Sequence, residues 1–297
     1  MRVTSTTNFI TMRQGLESTL SSVADAQTSL STGKRILKYS DAPTDAVTAL
    51  RYSSQEADWA AYKHSADDAS RWLNTADGTL QSVGSTLQSV KALAVNGINA
   101  GLGQTARNAL ADQVVALRDH LVDLANTKVG DRGLFSGFGD TAVTKNTSGS
   151  WTYAGDSGAV NRQIGPSMKI QVNLSGADVF GFAAGAGKDV FSTLDKLAAD
   201  LRSGDTTAIS ADQDQLGNRM TDVNRSLGTL GALETRVDNQ LKLGADSVDE
   251  IKRQRSELAD VDIAEASLKL QQAQTGYQAA LAAAARSNLP SLADFLR

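Results

Sequence analysis

The stretch IAEASLKLQQAQTGYQAALAAAARSNLPSLADFLR, Ile263–Arg297, decides how this chain folds. Ile263, Leu270, Tyr277 and Ala284 recur every seven residues, and Ala266, Ala273 and Ala280 fill the offset positions. One helical face is therefore apolar but narrow, and needs a partner. The other end of the chain offers one, because Phe9, Leu16, Val23, Leu30 and Leu37 keep the same spacing. The two seams predict paired N- and C-terminal helices that close the chain on itself.

Inward from the first seam, Gly33 is suited to end a helix, and Lys34, Arg35 and Lys38 complement the partial negative charge there. These cations read as a solvated cluster. Ser40-Asp41-Ala42-Pro43 is a helix-start signal, since small oxygen-bearing side chains accept from free backbone amides and Pro43 needs no donor. The helix predicted from there to about Asn96 carries Leu73, Ala76, Leu80, Val83, Leu87, Val90, Ala94 and Gly97 in alternating steps of three and four. Three glycines and two asparagines break it at 96–103. A third helix, striped by Leu110, Val114, Leu117, Leu121 and Leu124, is expected to fold back antiparallel on the second.

The period then changes. Glycines punctuate 130–139, Trp151 and Tyr153 flank Thr152, and Val160, Arg162 and Ile164 alternate with Asn161 and Gln163. After Gly165-Pro166-Ser167, Met168, Ile170, Val172 and Leu174 alternate again, so a small antiparallel sheet is expected. The glycines are not a phosphate loop, because no Lys-Ser/Thr pair follows. Helix returns near Asp189 with Phe191, Leu194, Leu197 and Leu201, pauses at Ser203-Gly204-Asp205, and resumes on a long lattice from Leu216 to Leu258. A helix of that length must lie along the second helix. Its seam slips at Asp260-Val261-Asp262, which marks a joint.

The predicted fold class is mainly α with a small antiparallel β insert, an elongated hairpin of long coiled-coil-like helices with the N- and C-terminal helices paired. The expected divisions are a terminal coiled-coil domain from 1–40 and 260–297, two helical halves at 41–130 and 186–259, and a β-rich insert at 131–185.

Among 297 residues, 41% are hydrophobic, 5% aromatic and none is cysteine, with a formal net charge of -4. That excludes disulfides and thiolate chemistry, and offers no basic surface for nucleic acid. The N-terminus lacks an apolar signal region, and no apolar run approaches the ~18 residues that span a bilayer, so no membrane insertion is expected. His64 and His120 each stand alone, and Asp67-Asp68 and Asp260 with Asp262 fall on polar helix faces or junctions. Trp59, Trp72 and Trp151 are scattered. No catalytic residue, metal site or cofactor is expected, and the chain does not read as an enzyme.

Leu30-Ser31-Thr32-Gly33-Lys34-Arg35-Ile36 followed by Ser40-Asp41-Ala42-Pro43 is similar to the N-terminal motif of the flagellin superfamily, Leu-Ser-Ser-Gly, a basic residue and Ile, then Ser-Asp-Asp-Pro. The resemblance covers nearly the whole chain. Gly133-Leu134-Phe135-Ser136-Gly137, Tyr153-Ala154-Gly155-Asp156-Ser157-Gly158, Arg162-Gln163-Ile164-Gly165 and Asp178-Val179-Phe180-Gly181 resemble, in order, the insert of that superfamily's hook–filament junction members. Ala42 replaces a family Asp, and Asp131-Arg132 stands where an aromatic is usual.

The resemblance implies a secreted structural subunit of the extracellular bacterial flagellum, needed for motility. It would leave the cell by type III export with a flagellar export chaperone and assemble with itself as a ring. At the hook–filament junction it would join hook-associated protein 1 to flagellin; the alternative is the filament flagellin itself. A scaffold coiled coil explains the heptads but not the ordered motifs. The expected assembly interface is Phe9, Leu16, Val23, Leu30, Leu37, Ile263, Leu270, Tyr277, Leu281, Leu289, Leu292, Phe295 and Leu296. Alanine-filled seams bury little area, so these helices are expected to order on assembly.

Overall fold

Gly33 turns the backbone left-handed, with φ +68°, and ends helix α1 (Ser5–Thr32). Only glycine adopts that geometry without strain, so the seven-residue pattern outlasts the helix, and Leu37 lies beyond its end. The computed structural model describes residues 5–38, 40, 42–99 and 101–287. Helix α2 (Pro43–Gly97) begins on its proline, as the start signal predicts. Helix α3 (Gln104–Ala125) follows the glycine-rich break.

Later come a single turn α4 (Gly176–Val179), α5 (Val190–Ser203), the long α6 (Thr206–Ala259) and α7 (Ile263–Ser287). Asp189 caps α5 by accepting from the Ser192 amide at 2.8 Å, and Asp262 caps α7 by accepting from that of Ala264 at 2.8 Å.

The chain divides into two compact units, Met1–Asp58 with Asp246–Arg297, and Trp59–Ala245. In the central unit all eight residues of the α2 stripe, Leu73 to Gly97, are buried. Trp59 lies against Gly244, and Gly97 faces Ile209 of α6 and Leu201 of α5, so α2 and α6 run antiparallel across this unit. Helix α3 packs against α5, a pairing the stripes alone do not specify. Arg118 pairs with Asp195 and Arg202 with Asp112, which sets these two helices antiparallel.

The insert departs from the expected single sheet. It forms three separate antiparallel hairpins: β1 (Lys128–Val129) with β2 (Arg132–Gly133), β3 (Val143–Lys145) with β4 (Trp151–Tyr153), and β5 (Asn161–Gln163) with β6 (Lys169–Gln171). A side chain closes one of these edges. Asn126 accepts from the Ala142 and Val143 amides at 2.9 and 3.0 Å and donates to the Val143 carbonyl at 3.0 Å, occupying groups another strand would need. The period-two reading holds within the third hairpin, where Val160, Ile164, Ile170 and Val172 are buried and Asn161, Gln163, Lys169 and Gln171 exposed. Beneath the hairpins Phe135, Phe180 and Phe191 are buried, with Phe135 edge-on to Phe180 at 5.4 Å.

Candidate functional site

Helices α1 and α7 pack together along the two seven-residue patterns. On α1 the half-buried stripe runs Met12, Leu16, Thr19, Val23, Ala26, Leu30, and on α7 it runs Ala266, Leu270, Ala273, Tyr277, Ala280, Ala284. Both alternate steps of four and three, the spacing of an antiparallel coiled-coil seam. Only Ala266, 3% exposed, is fully buried in it.

The expected interface residues separate into four groups. Leu16, Val23, Leu30, Leu270 and Tyr277 line the seam, and Leu37 is half-buried in the connection after α1. Phe9, Ile263 and Leu281 are exposed, Phe9 by 54% and Ile263 by 69%. Ile263 is thus outside the seam it was expected to open, because it is the first residue of α7 and the seam starts one turn later, at Ala266. Leu289, Leu292, Phe295 and Leu296 lie outside the described residues.

Leu20, which the sequence places beside the seam but outside the expected interface set, is exposed there. At 100° per residue, Phe9 and Leu20 sit about 60–80° to one flank of the α1 stripe, and Ile263 and Leu281 about 60° to the same-handed flank of α7. In an antiparallel pair those flanks fall on one side. The terminal pair therefore carries an apolar strip along one face that, among the described residues, stays exposed.

At the root of the pair the chain crosses itself. Lys34 and Asp260 form an isolated antiparallel bridge; the Arg35 amide donates to the Ala259 carbonyl at 2.8 Å and the Val261 amide to the Gly33 carbonyl at 2.9 Å. Lys34 Nζ lies 2.5 Å from Asp260 Oδ1. Arg35 donates from Nε to the Leu258 carbonyl at 3.0 Å and from Nη2 to Asp45 at 2.7 Å. Its guanidinium caps the last turn of α6, where unpaired carbonyls concentrate negative potential. The solvated cluster expected here is thus corrected: Lys34 and Arg35 are both engaged, although about half exposed. Asp45 is ten residues from Arg35, but Asp260 and the Leu258 carbonyl lie more than 200 residues away, beyond the reach of local charge patterning. The hydrogen bond from Lys34, and then that from Ser256, hold the Asp260 carboxyl below the usual carboxylate range. Nearby, Glu56 of α2 pairs with Arg255 of α6.

Other ionisable groups serve the scaffold. Asp68 is held below its ordinary value by the hydrogen bond from Arg162, at 2.7 Å. Asp195 accepts from Arg118 and, at 2.8 Å, from the Trp151 indole, whose ring also faces Lys145 at 4.9 Å. His64 and His120 are exposed on their helices. Among the described residues no cluster of three or more His, Cys, Asp or Glu is placed to hold a metal ion, and no helix is long and apolar enough to cross a membrane.

Comparison with known proteins places both ends of the chain. Residues 3–139 match the bacterial flagellin N-terminal helical region, and residues 214–296 match its C-terminal helical region. Flagellar hook-associated protein 3 of Escherichia coli is 26% identical over 78% of this chain and 80% of its own length. The protein of that name from Salmonella typhimurium is 25% identical over the same shares. Among solved structures, a putative flagellar hook-associated protein from Vibrio parahaemolyticus superposes with a TM-score of 0.70 at 19% identity, covering 74% of this chain and all of that one. The fold is shared.

Proposed function

The chain belongs to the bacterial flagellin family, and from that premise we propose that it is a structural subunit of the flagellum at the hook–filament junction. The observation that carries this reading is the alignment with two hook-associated proteins 3 over four-fifths of their length, through the β insert as well as the helices. In this role the chain joins hook-associated protein 1 on one side to flagellin on the other, in a ring of its own copies. It reaches that place by type III export, escorted by a flagellar chaperone.

The terminal pair is the assembly element. Its strip of Phe9, Leu20, Ile263 and Leu281 packs against neighbouring subunits, and in the free subunit the seam above the crossing is open much of the time. The physical support is the shallow burial: ordering costs about 1–2 kcal/mol of backbone entropy per residue, and half-buried alanines return little of it. Protection of the α1 amides from hydrogen exchange in the monomer, comparable to that of the central helices, would refute this part.

The function is tested by deleting the gene and examining flagella. Flagellin shed into the medium by cells that keep their hooks is the expected result, because the filament loses its seat. Filaments still attached to intact hooks would overturn the junction role, and loss of the filament subunit itself would identify a flagellin.

A further inference from the structure

We propose that the crossing of Gly33-Lys34-Arg35 with Leu258–Val261 is a self-standing joint that holds the roots of α1 and α7 in register while the seam beyond it is open. Lys34 and Arg35 are then positioning residues for assembly. The inference rests on the reading of an open seam in the free subunit, and the experiment separates the two.

The long-range polar contacts that tie the end of α1 to the rest of the terminal unit gather where its seam begins. Within three residues of one strand and four of the other there are two backbone hydrogen bonds, a close ion pair and a guanidinium on the end of α6. Among the described residues, Ala266, the one fully buried seam residue, lies one turn beyond, and Ala46 of α2, the other buried apolar residue of this unit, lines a cleft of about 350 Å³ with Lys34, Ile36 and Ala259. Farther along α1 and α7 every seam residue is half-exposed, with no hydrogen bond or ion pair between the two helices among the described contacts. The joint also has its own start signal for α7, the Asp262 cap, which does not need the seam.

A linkage with this distribution opens from its free ends. Each broken seam layer loses little, whereas parting the roots breaks several directional bonds at once. The closed joint keeps the two helices at high effective concentration, so that a neighbouring subunit meets them already aligned instead of paying to bring together segments more than 200 residues apart.

The chain contains no cysteine, so introduced pairs are unique labelling sites. Spin labels at Ser31→Cys with Glu265→Cys report the root, and labels at Arg13→Cys with Ala283→Cys report the far seam; all four residues are exposed. In the full-length monomer the root pair is expected to give a short, narrow distance distribution and the far pair a broad one. Val261→Pro removes the amide that donates to Gly33 and is expected to abolish the narrow root distance, while Val261→Ala, which keeps the amide, preserves it. Retention of the central helices, seen by circular dichroism, distinguishes opening of the joint from global unfolding; global unfolding by Val261→Pro would itself overturn the joint as a self-standing element. Two broad distributions would refute the joint. Two narrow ones would refute the open seam on which it rests. A root distance unchanged in Val261→Pro would show that the bridge does not hold it.

Discussion

The terminal and central units use the same seven-residue grammar and reach opposite degrees of burial. In the central unit the α2 stripe is sealed, with Leu73, Leu80, Val83, Leu87 and Val90 without exposed surface, while α3, α5, α6 and the phenylalanines of the insert add to the same core. In the terminal unit, among the described residues, only Ala46 and Ala266 are fully buried, and Phe9, Ile10, Leu20, Ile263, Leu268 and Leu281 face solvent. Periodicity specifies which face a helix offers but not how many partners cover it. Two helices cover a stripe on one side only; several helices and a β insert enclose it.

The largest expected effect comes from removing side chain volume in the sealed unit. Leu87→Ala should lower unfolding stability by about 2–5 kcal/mol, read from a denaturant midpoint. Leu16→Ala in the seam should cost about 1 kcal/mol or less, and an equal loss at both sites would break the contrast between the units.

Next comes the insert, where Gly137 has φ +72° and a side chain there would run into Asp156, whose Oδ1 accepts from the Phe138 and Gly158 amides at 3.0 and 2.7 Å. Gly137→Ala should cost about 1–3 kcal/mol. The loss should appear as faster exchange of the Phe138 and Gly158 amides, with the seam unaffected.

A smaller effect is expected from acid. The Asp260 carboxyl is depressed by its hydrogen bonds from Lys34 and Ser256, so its contribution is fully present above the unfolded value of about 3.9 and lost as pH falls through the lower folded value. Because both side chains of the pair stay substantially solvated, the change should be about a few tenths of a kcal/mol. It is measured as weakening protection of the Arg35 and Val261 amides below pH 4, and Asp260→Asn should flatten the profile. A profile unchanged by that substitution would assign the pH dependence elsewhere.

The smallest effect on the monomer should come from Phe9→Ser with Leu281→Ser, which replaces exposed carbon and should leave the melting temperature nearly unchanged. Motility complementation should nevertheless fail. A variant that still assembles would remove the exposed strip from the interface.

Much of the fold is written in local pattern. Stepping by three and four along α2 identifies a buried stripe without a miss, Pro43 and Asp189 mark helix starts, and Gly204, with φ +77°, marks the end of α5. The pairing of α1 with α7 follows from two narrow faces at opposite chain ends. These features depend on side-chain spacing and backbone preference within a few residues, which is what a sequence displays directly.

Other features required the chain to fold before they existed. The seven-residue series runs on to Leu37, past the helix end that Gly33 already signals, and puts Ile263 on the seam, whereas α7 starts a turn before contact. Asn126 closes a strand edge 17 residues away, splitting the expected sheet into hairpins. The ion pair of Lys34 with Asp260 and the capping of α6 by Arg35 join residues 226 and 223 apart. By itself the sequence determined the helices, their apolar faces and the family. Tertiary structure alone decided which faces stay uncovered and where the termini are fastened, because burial and long-range hydrogen bonds depend on three-dimensional neighbours that local pattern does not name.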